Sequence, residues 1–133
     1  MKKLWILLIA IALVGASAAA YVPMHLMEKQ NYRNATQLTG GGDPNKGRDA
    51  IAQYGCSSCH TIPGIRGADG VVGPPLVHIA NRPYLGGVIR NTPNNMMRWI
   101  ANAPAVDPQT AMPNLKLDEK DSRDIAAYLY TLR

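Results

Sequence analysis

Cys56-Ser57-Ser58-Cys59-His60 is the stretch on which the reading of this chain turns. It spells C-x-x-C-H, the covalent attachment signature of a c-type haem. Two thiols at that spacing can each add across a haem vinyl group, and the adjacent His60 lies where one imidazole nitrogen can reach the iron. These are the only 2 cysteines in 133 residues, so none is left for a disulfide or a second cofactor. A thioredoxin-like pair would need a βαβ pattern of buried strands, which the sequence lacks, and would leave His60 unused. A zinc site needs about four Cys or His ligands. His25 or His78 would have to complete it, and neither has finger-like spacing. The plain alternative is two buried cysteines beside a chance histidine. The motif predicts one haem c, bonded through Cys56 and Cys59, with His60 at the iron.

The residues before the motif predict a helix that delivers the chain into Cys56. Asp43 is suited to the N-cap and Pro44 to the first helical position. Ala50, Ile51 and Tyr54 then share one face, so a helix is expected from about Pro44 to Tyr54. After the motif, Ile62 to Gly73 reads as a loop in which Gly64, Gly67, Gly70 and Gly73 recur every third residue. Glycine lets a backbone pass close to a flat ligand, and a mobile surface loop would show the same composition. Gly73-Pro74-Pro75-Leu76 forces an extended path that lacks two N–H donors.

Thr92-Pro93 repeats the cap-and-proline signal, for a helix through Met96, Trp99 and Ile100 that stops near Asn102. Ala105 to Asn114 reads as irregular. The last helix is capped by Asp118, with Asp121 three residues on as an acidic form of the capping box. Ile125, Tyr128, Leu129 and Leu132 form its apolar stripe. No strand pattern of any length is visible. The fold class expected is all-α: three or more short helices with long Pro/Gly-rich loops, organised around one haem and preceded by an N-terminal apolar helix. Loops of that length are unusual in a compact domain unless something else orders them.

Lys2-Lys3, the apolar run Leu4 to Val14 and the small residues Gly15 to Ala20 have the form of a secretory signal. Leu4 to Val22 is also just long enough to span a bilayer as a helix, with Lys2 and Lys3 left in the cytoplasm. Both fates stay open, and both send the rest of the chain across the membrane. The expected organisation is a signal peptide or uncleaved anchor over 1–20, a flexible linker over 21–42 closing on Thr39-Gly40-Gly41-Gly42, and a folded domain over 43–133. The chain carries a formal +5. From Asp43 onward ten Lys/Arg face eight Asp/Glu, a formal +2. This is not the footprint of a nucleic-acid binder.

On the residues alone, the second iron ligand stays open among His78, Met96, Met97 and Met112. Four ordered stretches then carry a resemblance: Tyr54-Gly55-Cys56 through Cys59-His60, Gly73-Pro74-Pro75-Leu76, Ala111-Met112-Pro113-Asn114-Leu115, and Asp124-Ile125-Ala126-Ala127-Tyr128-Leu129. Together they resemble a class I, monohaem c-type cytochrome over about Asp43 to Arg133. The run from Tyr54 to Ala68 resembles the cytochrome c domains associated with bacterial haem–copper oxidases.

The resemblance implies His60 as proximal ligand and Met112 as distal ligand. It implies that the Pro74 carbonyl accepts the hydrogen bond of the other His60 ring nitrogen, which fixes the tautomer. Arg82 would face a haem propionate, with Tyr84 joining it, and Trp99 would line the haem crevice. The first and last helices would cross at a small residue, Gly47, with Tyr128 opposite. An iron closed by His and Met has no open site for a substrate, so the implied role is outer-sphere electron transfer without bond chemistry. The implied partners are redox proteins: a quinol-oxidising complex or dehydrogenase on one side, a terminal oxidase on the other. No small-molecule substrate or nucleic acid is implied. The expected location is the bacterial periplasm, soluble or anchored to the inner membrane through residues 4–22. The alternative is a permanently bound, membrane-anchored cytochrome c subunit of an oxidoreductase complex.

Overall fold

A computed structural model describes residues 2–133; Met1, the first residue of the expected leader, lies outside the described residues. The chain divides into two compact units, the first closing at Asn31 and the second opening at Tyr32.

Helix α1 spans Lys2–Leu38. Its N-terminal part is apolar on every side and exposed, with Leu4, Trp5, Ile6 and Leu13 among the large exposed side chains. Among the described residues this is the one helix long and apolar enough to cross a membrane. Residues 21–38, expected as a flexible linker, are helical instead. After Pro23 no glycine or proline interrupts Met24 to Leu38, and Leu, Met, Glu, Lys, Gln, Arg and Ala in it are good helix formers. Nor is Thr39-Gly40-Gly41-Gly42 a loose hinge. It is the helix stop: Gly40 and Gly41 take left-handed φ of 68° and 101°, and the Gly41 N–H donates to Thr36 O at 2.8 Å. Thr39 is buried, as is Ala35 one turn earlier.

In the second unit, α2 (Pro44–Gln53), α3 (Pro93–Ala101) and α5 (Glu119–Thr131) form the helical frame. Each starts as its cap predicts. The Asp43 carboxylate accepts from Asn45 N at 2.9 Å, Thr92 Oγ1 from Asn95 N at 3.3 Å, and Asp118 Oδ1 from Asp121 N at 2.7 Å. Both α2 and α3 pack against α5. The α2–α5 crossing is made at Gly47, where a Cβ would lie 1.9 Å from Asp124 O. The residue opposite Gly47 is therefore Asp124, one turn before the Tyr128 that the family pattern suggested. Asp124 also fastens the crossing, since its Oδ1 accepts from Asp43 N at the start of α2, while its Oδ2 accepts from Lys120 Nζ on its own helix, both at 2.8 Å. The core between the helices centres on Ile51, Ile62 and Met96, each at most 2% exposed. Burial of such a side chain contributes on the order of 1.5–3 kcal/mol.

Two elements escape the sequence reading. A short helix α4 (Ala103–Val106) follows α3, because Pro104 stands in its first turn, where proline is tolerated. A small antiparallel hairpin pairs β1 (Tyr84–Leu85) with β2 (Ile89–Arg90). Strands of two residues are too short to leave an alternating pattern.

Candidate functional site

Helix α2 ends at Gln53 with Tyr54 as its C-cap, and Gly55 turns the chain in left-handed φ of 70° into a 3-10 turn at Cys56–Ser58. The Cys59 and His60 amides both donate back to Cys56 O, at 3.2 and 3.0 Å. Ser58 Oγ donates to Gly55 O at 2.7 Å. The five residues of the motif thus form one tight turn, with both thiols free and half-buried. Burial pushes the Cys56 thiol up from its ordinary value, and the neighbouring Cys59 adds to that rise.

His60 Nδ1 lies 2.8 Å from Pro74 O. A carbonyl can only accept, so Nδ1 carries a proton, and in the neutral ring that leaves the lone pair on Nε2. No hydrogen bond is made by Nε2 among the described residues. The extended strap Gly73–Val77 that carries Pro74 is tied to the motif on both sides. Gly73 N donates to Cys59 O, and Leu76 N to Thr61 O, both at 2.8 Å. The glycines at 70 and 73 serve these approaches. A Cβ on Gly73 would lie 2.4 Å from His60 Cε1, and one on Gly70 would lie 2.6 Å from the Cys59 carbonyl carbon. The close neighbour that excludes a Cβ is thus the motif itself, where a flat ligand was expected.

The other candidates sit as follows. Met112 is half-buried against the core in the irregular stretch after α4, its N–H bonded to Thr110 Oγ1 at 3.2 Å. Met96 is wholly inside the core, Met97 is half-buried, and His78 is exposed with left-handed φ of 55°. Trp99 is half-buried on α3 beneath the hairpin turn, where a Cβ on Gly86 would meet its ring at 2.4 Å. Tyr84 is exposed on β1. Arg82, expected at a propionate, uses one guanidinium nitrogen on the strap, donating to Pro75 O and, at 3.1 Å, to Val77 O. The reason is local: the two prolines leave the strap rich in acceptors and poor in donors.

Three residues also shape the site through hydrogen bonds that carry no sequence signal. Tyr128 OH donates to Pro63 O at 2.6 Å and holds the loop after the motif against α5. Tyr130 OH donates to Asn91 Oδ1, and Asn91 Nδ2 donates to Ile79 O in the segment behind the strap, both at 2.8 Å. Their partners are remote in sequence, so neither spacing nor periodicity marks them.

The donor set comprises two free thiols three residues apart, a ring nitrogen with its lone pair held by tautomer, and a thioether on a separate loop. This chemistry suits a haem bonded through the sulfurs and ligated by nitrogen and sulfur. Among the described residues there is no cluster of three or more His, Cys, Asp or Glu that would hold a bare metal ion.

Comparison with known proteins agrees with that chemistry. The family model for cytochrome c matches residues 44–133. The chain is similar to cytochrome c oxidase subunit 2 of Alkalihalophilus pseudofirmus, 27% identical over 90 residues, which is 67% of this chain and 25% of that protein. The chain spans about a quarter of the length of that curated relative. No solved structure gives a significant match.

Proposed function

The chain belongs to the cytochrome c family, and on that premise we propose that residues 43–133 carry single electrons on one haem c bonded through Cys56 and Cys59. The family implies haem-based electron transfer; the covalent bonds, the ligands and the partners are the proposal. When bound, the haem supplies a one-electron Fe(II)/Fe(III) couple. His60 would ligate the iron through Nε2 while Pro74 holds the Nδ1 proton. Met112 would supply the second iron ligand. A thioether is a weak donor that favours Fe(II), and burial among apolar side chains disfavours the extra charge of Fe(III), so both raise the potential. Trp99 and the loops around residues 62–76 would keep water from the site.

The observation that carries this reading is the tautomer of His60. A histidine beside two free thiols has its Nδ1 committed to Pro74 O at 2.8 Å, which reserves Nε2 for a metal. Intact mass of the purified chain tests it. A gain of one haem, with no reactive thiol remaining, is the expected result; two unmodified thiols in a colourless, properly matured protein overturn it. Met112→Ala tests the distal ligand: the variant is expected to lose the Met–iron charge-transfer band and to fall in potential.

The electron would pass between a quinol-oxidising complex or dehydrogenase and a terminal oxidase. Val71 and Val72, exposed beside the motif, offer an apolar contact for such partners. The second reading, a permanently anchored subunit of an oxidoreductase, is favoured by the exposed apolar length of α1 and by the oxidase subunit among the relatives. In either case the domain would work in the bacterial periplasm, free or held at the inner membrane. Mass separates the two: an intact α1 that resists salt extraction supports the anchored subunit, and a processed chain in the soluble fraction supports the shuttle.

A further inference from the structure

Pro74 and Pro75 have no N–H, so the middle of the strap can be held only through its carbonyls. Both are used. Pro74 O accepts from His60 Nδ1, and Pro75 O accepts from Arg82, which also reaches Val77 O. Arg82 closes the 3-10 turn Ile79–Asn81. A single side chain from outside the turn grips both of its ends: Asn91 Nδ2 donates to Ile79 O at 2.8 Å and to Arg82 O at 2.9 Å. Two carbonyls can only accept, so the amide nitrogen must face them. That leaves Asn91 Oδ1 toward Tyr130 OH, which donates to it at 2.8 Å from α5. Tyr130 is buried, and Ala80 N in the same turn donates to Leu132 O at 3.2 Å. The hydrogen bonds therefore run from α5 through Asn91 to the turn, from the turn through Arg82 to the strap, and from the strap to His60.

We propose that Asn91, oriented by Tyr130, is a positioning residue for His60: it fixes the turn that aims Arg82 at the strap, and so holds the Pro74 carbonyl at His60 Nδ1. The amide is suited to this because it offers two donors and an acceptor in one plane; leucine offers none, and aspartate has no donor. The inference deepens the electron-transfer reading and rests on it, because the ring that is steadied is the proposed iron ligand.

Hydrogen exchange followed by NMR on the reduced holoprotein tests it. The probes are the His60 Nδ1–H and the Leu76 amide, with the Ile51 amide in α2 as reference. Asn91→Leu is expected to speed exchange at both probes by more than about tenfold relative to Ile51, and Tyr130→Phe by about threefold. Tyr130→Phe keeps its ring and loses one hydroxyl, so it carries the test if Asn91→Leu does not fold. Unchanged exchange at His60 and Leu76 overturns the proposal. So does a rise that merely follows Ile51, which would mark Asn91 and Tyr130 as general contributors to stability. The mass of the wild-type sample judges the electron-transfer reading separately: a haem-free protein ends that reading, while Leu76 against Ile51 still reports on the clasp.

Discussion

The α2–α5 crossing and the strap Gly73–Val77, with the 3-10 turn behind it, are held in opposite ways. At the crossing, two regular helices meet so closely that Gly47 has no room for a Cβ, and Asp124 fastens the contact by charge. Along the strap there is almost no regular structure, and position is set by side chains that grip backbone carbonyls: His60 on Pro74, Arg82 on Pro75 and Val77, Asn91 on Ile79 and Arg82. The crossing is steric and rigid, and it supports the fold. The strap is a set of individually modest bonds, and it sets the orientation of one imidazole. Substitutions should therefore separate stability from ligand geometry.

The largest effect is expected at the crossing. Gly47→Ala places a methyl 1.9 Å from Asp124 O, against backbone that belongs to a packed helix. Neither helix can yield alone, so a loss of about 3 kcal/mol is expected, read by denaturant unfolding of the holoprotein. Gly73→Ala is the counterpart in the strap. Its methyl would meet the His60 ring at 2.4 Å, and the ring can swing where a helix backbone cannot. A smaller loss of about 1–2 kcal/mol is expected, together with an altered absorption spectrum from a displaced His60. If Gly73→Ala leaves the spectrum unchanged while Gly47→Ala alters it, the division between the two regions is wrong.

How much of this was legible in the sequence follows the same division. Asp43-Pro44, Thr92-Pro93 and Asp118 announced their helices because an N-cap is local chemistry, complete within four residues. The motif at Cys56 to His60 was legible for the same reason. The partners of Gly47 and Arg82 were not, because they depend on where distant segments arrive. Gly47 meets Asp124, one turn from the residue that the family pattern suggested, and Arg82 turns to carbonyls left unpaired by two prolines. Asn91 stands just before a strong helix start and looks like part of a turn; its side chain's partners come from the 3-10 turn before it and from α5 near the end of the chain. The helix over residues 21–38 departs from the expected linker for another reason: polar composition does not by itself prevent a helix when no glycine or proline interrupts Met24 to Leu38.

The two regions also titrate at opposite ends of the pH scale, and the acid end has the larger expected effect at neutral pH. Burial pulls the Asp124 carboxyl up, but the Asp43 N–H and the Lys120 ammonium outweigh it, and the net displacement is downward. A carboxyl held below its unfolded value contributes stability that is present above that value and lost as pH falls through the folded one. Acid should therefore loosen the crossing first. Asp124→Asn keeps an acceptor for Asp43 N and removes the charge. It is expected to cost about 1 kcal/mol at neutral pH and to flatten the stability profile below the ordinary carboxylate range, as read by unfolding at a series of pH values.

The alkaline end belongs to the strap. Burial raises the Tyr130 hydroxyl from 10.0 to about 12. For an acid whose folded value is raised, the neutral form is favoured in the native state. The stability it contributes is complete below the unfolded value, declines as pH rises past about 10 and is gone above about 12. Ionised, the hydroxyl can no longer donate to Asn91 Oδ1, so the clasp behind Arg82 should open in the native state as pH passes about 12. Tyr130→Phe removes both the ionisation and the bond. At neutral pH its cost should be small, about 0.5 kcal/mol. Between pH 10 and 12 it should lose stability less steeply than the wild type, because one titrating group is gone. Tyr128, also raised by burial, keeps its own alkaline sensitivity and serves as the control, since it bonds to Pro63 and not to the clasp. Equal slopes for the wild type and Tyr130→Phe, with a flatter one for Tyr128→Phe, would move the alkali-sensitive contact from the strap to the loop after the motif.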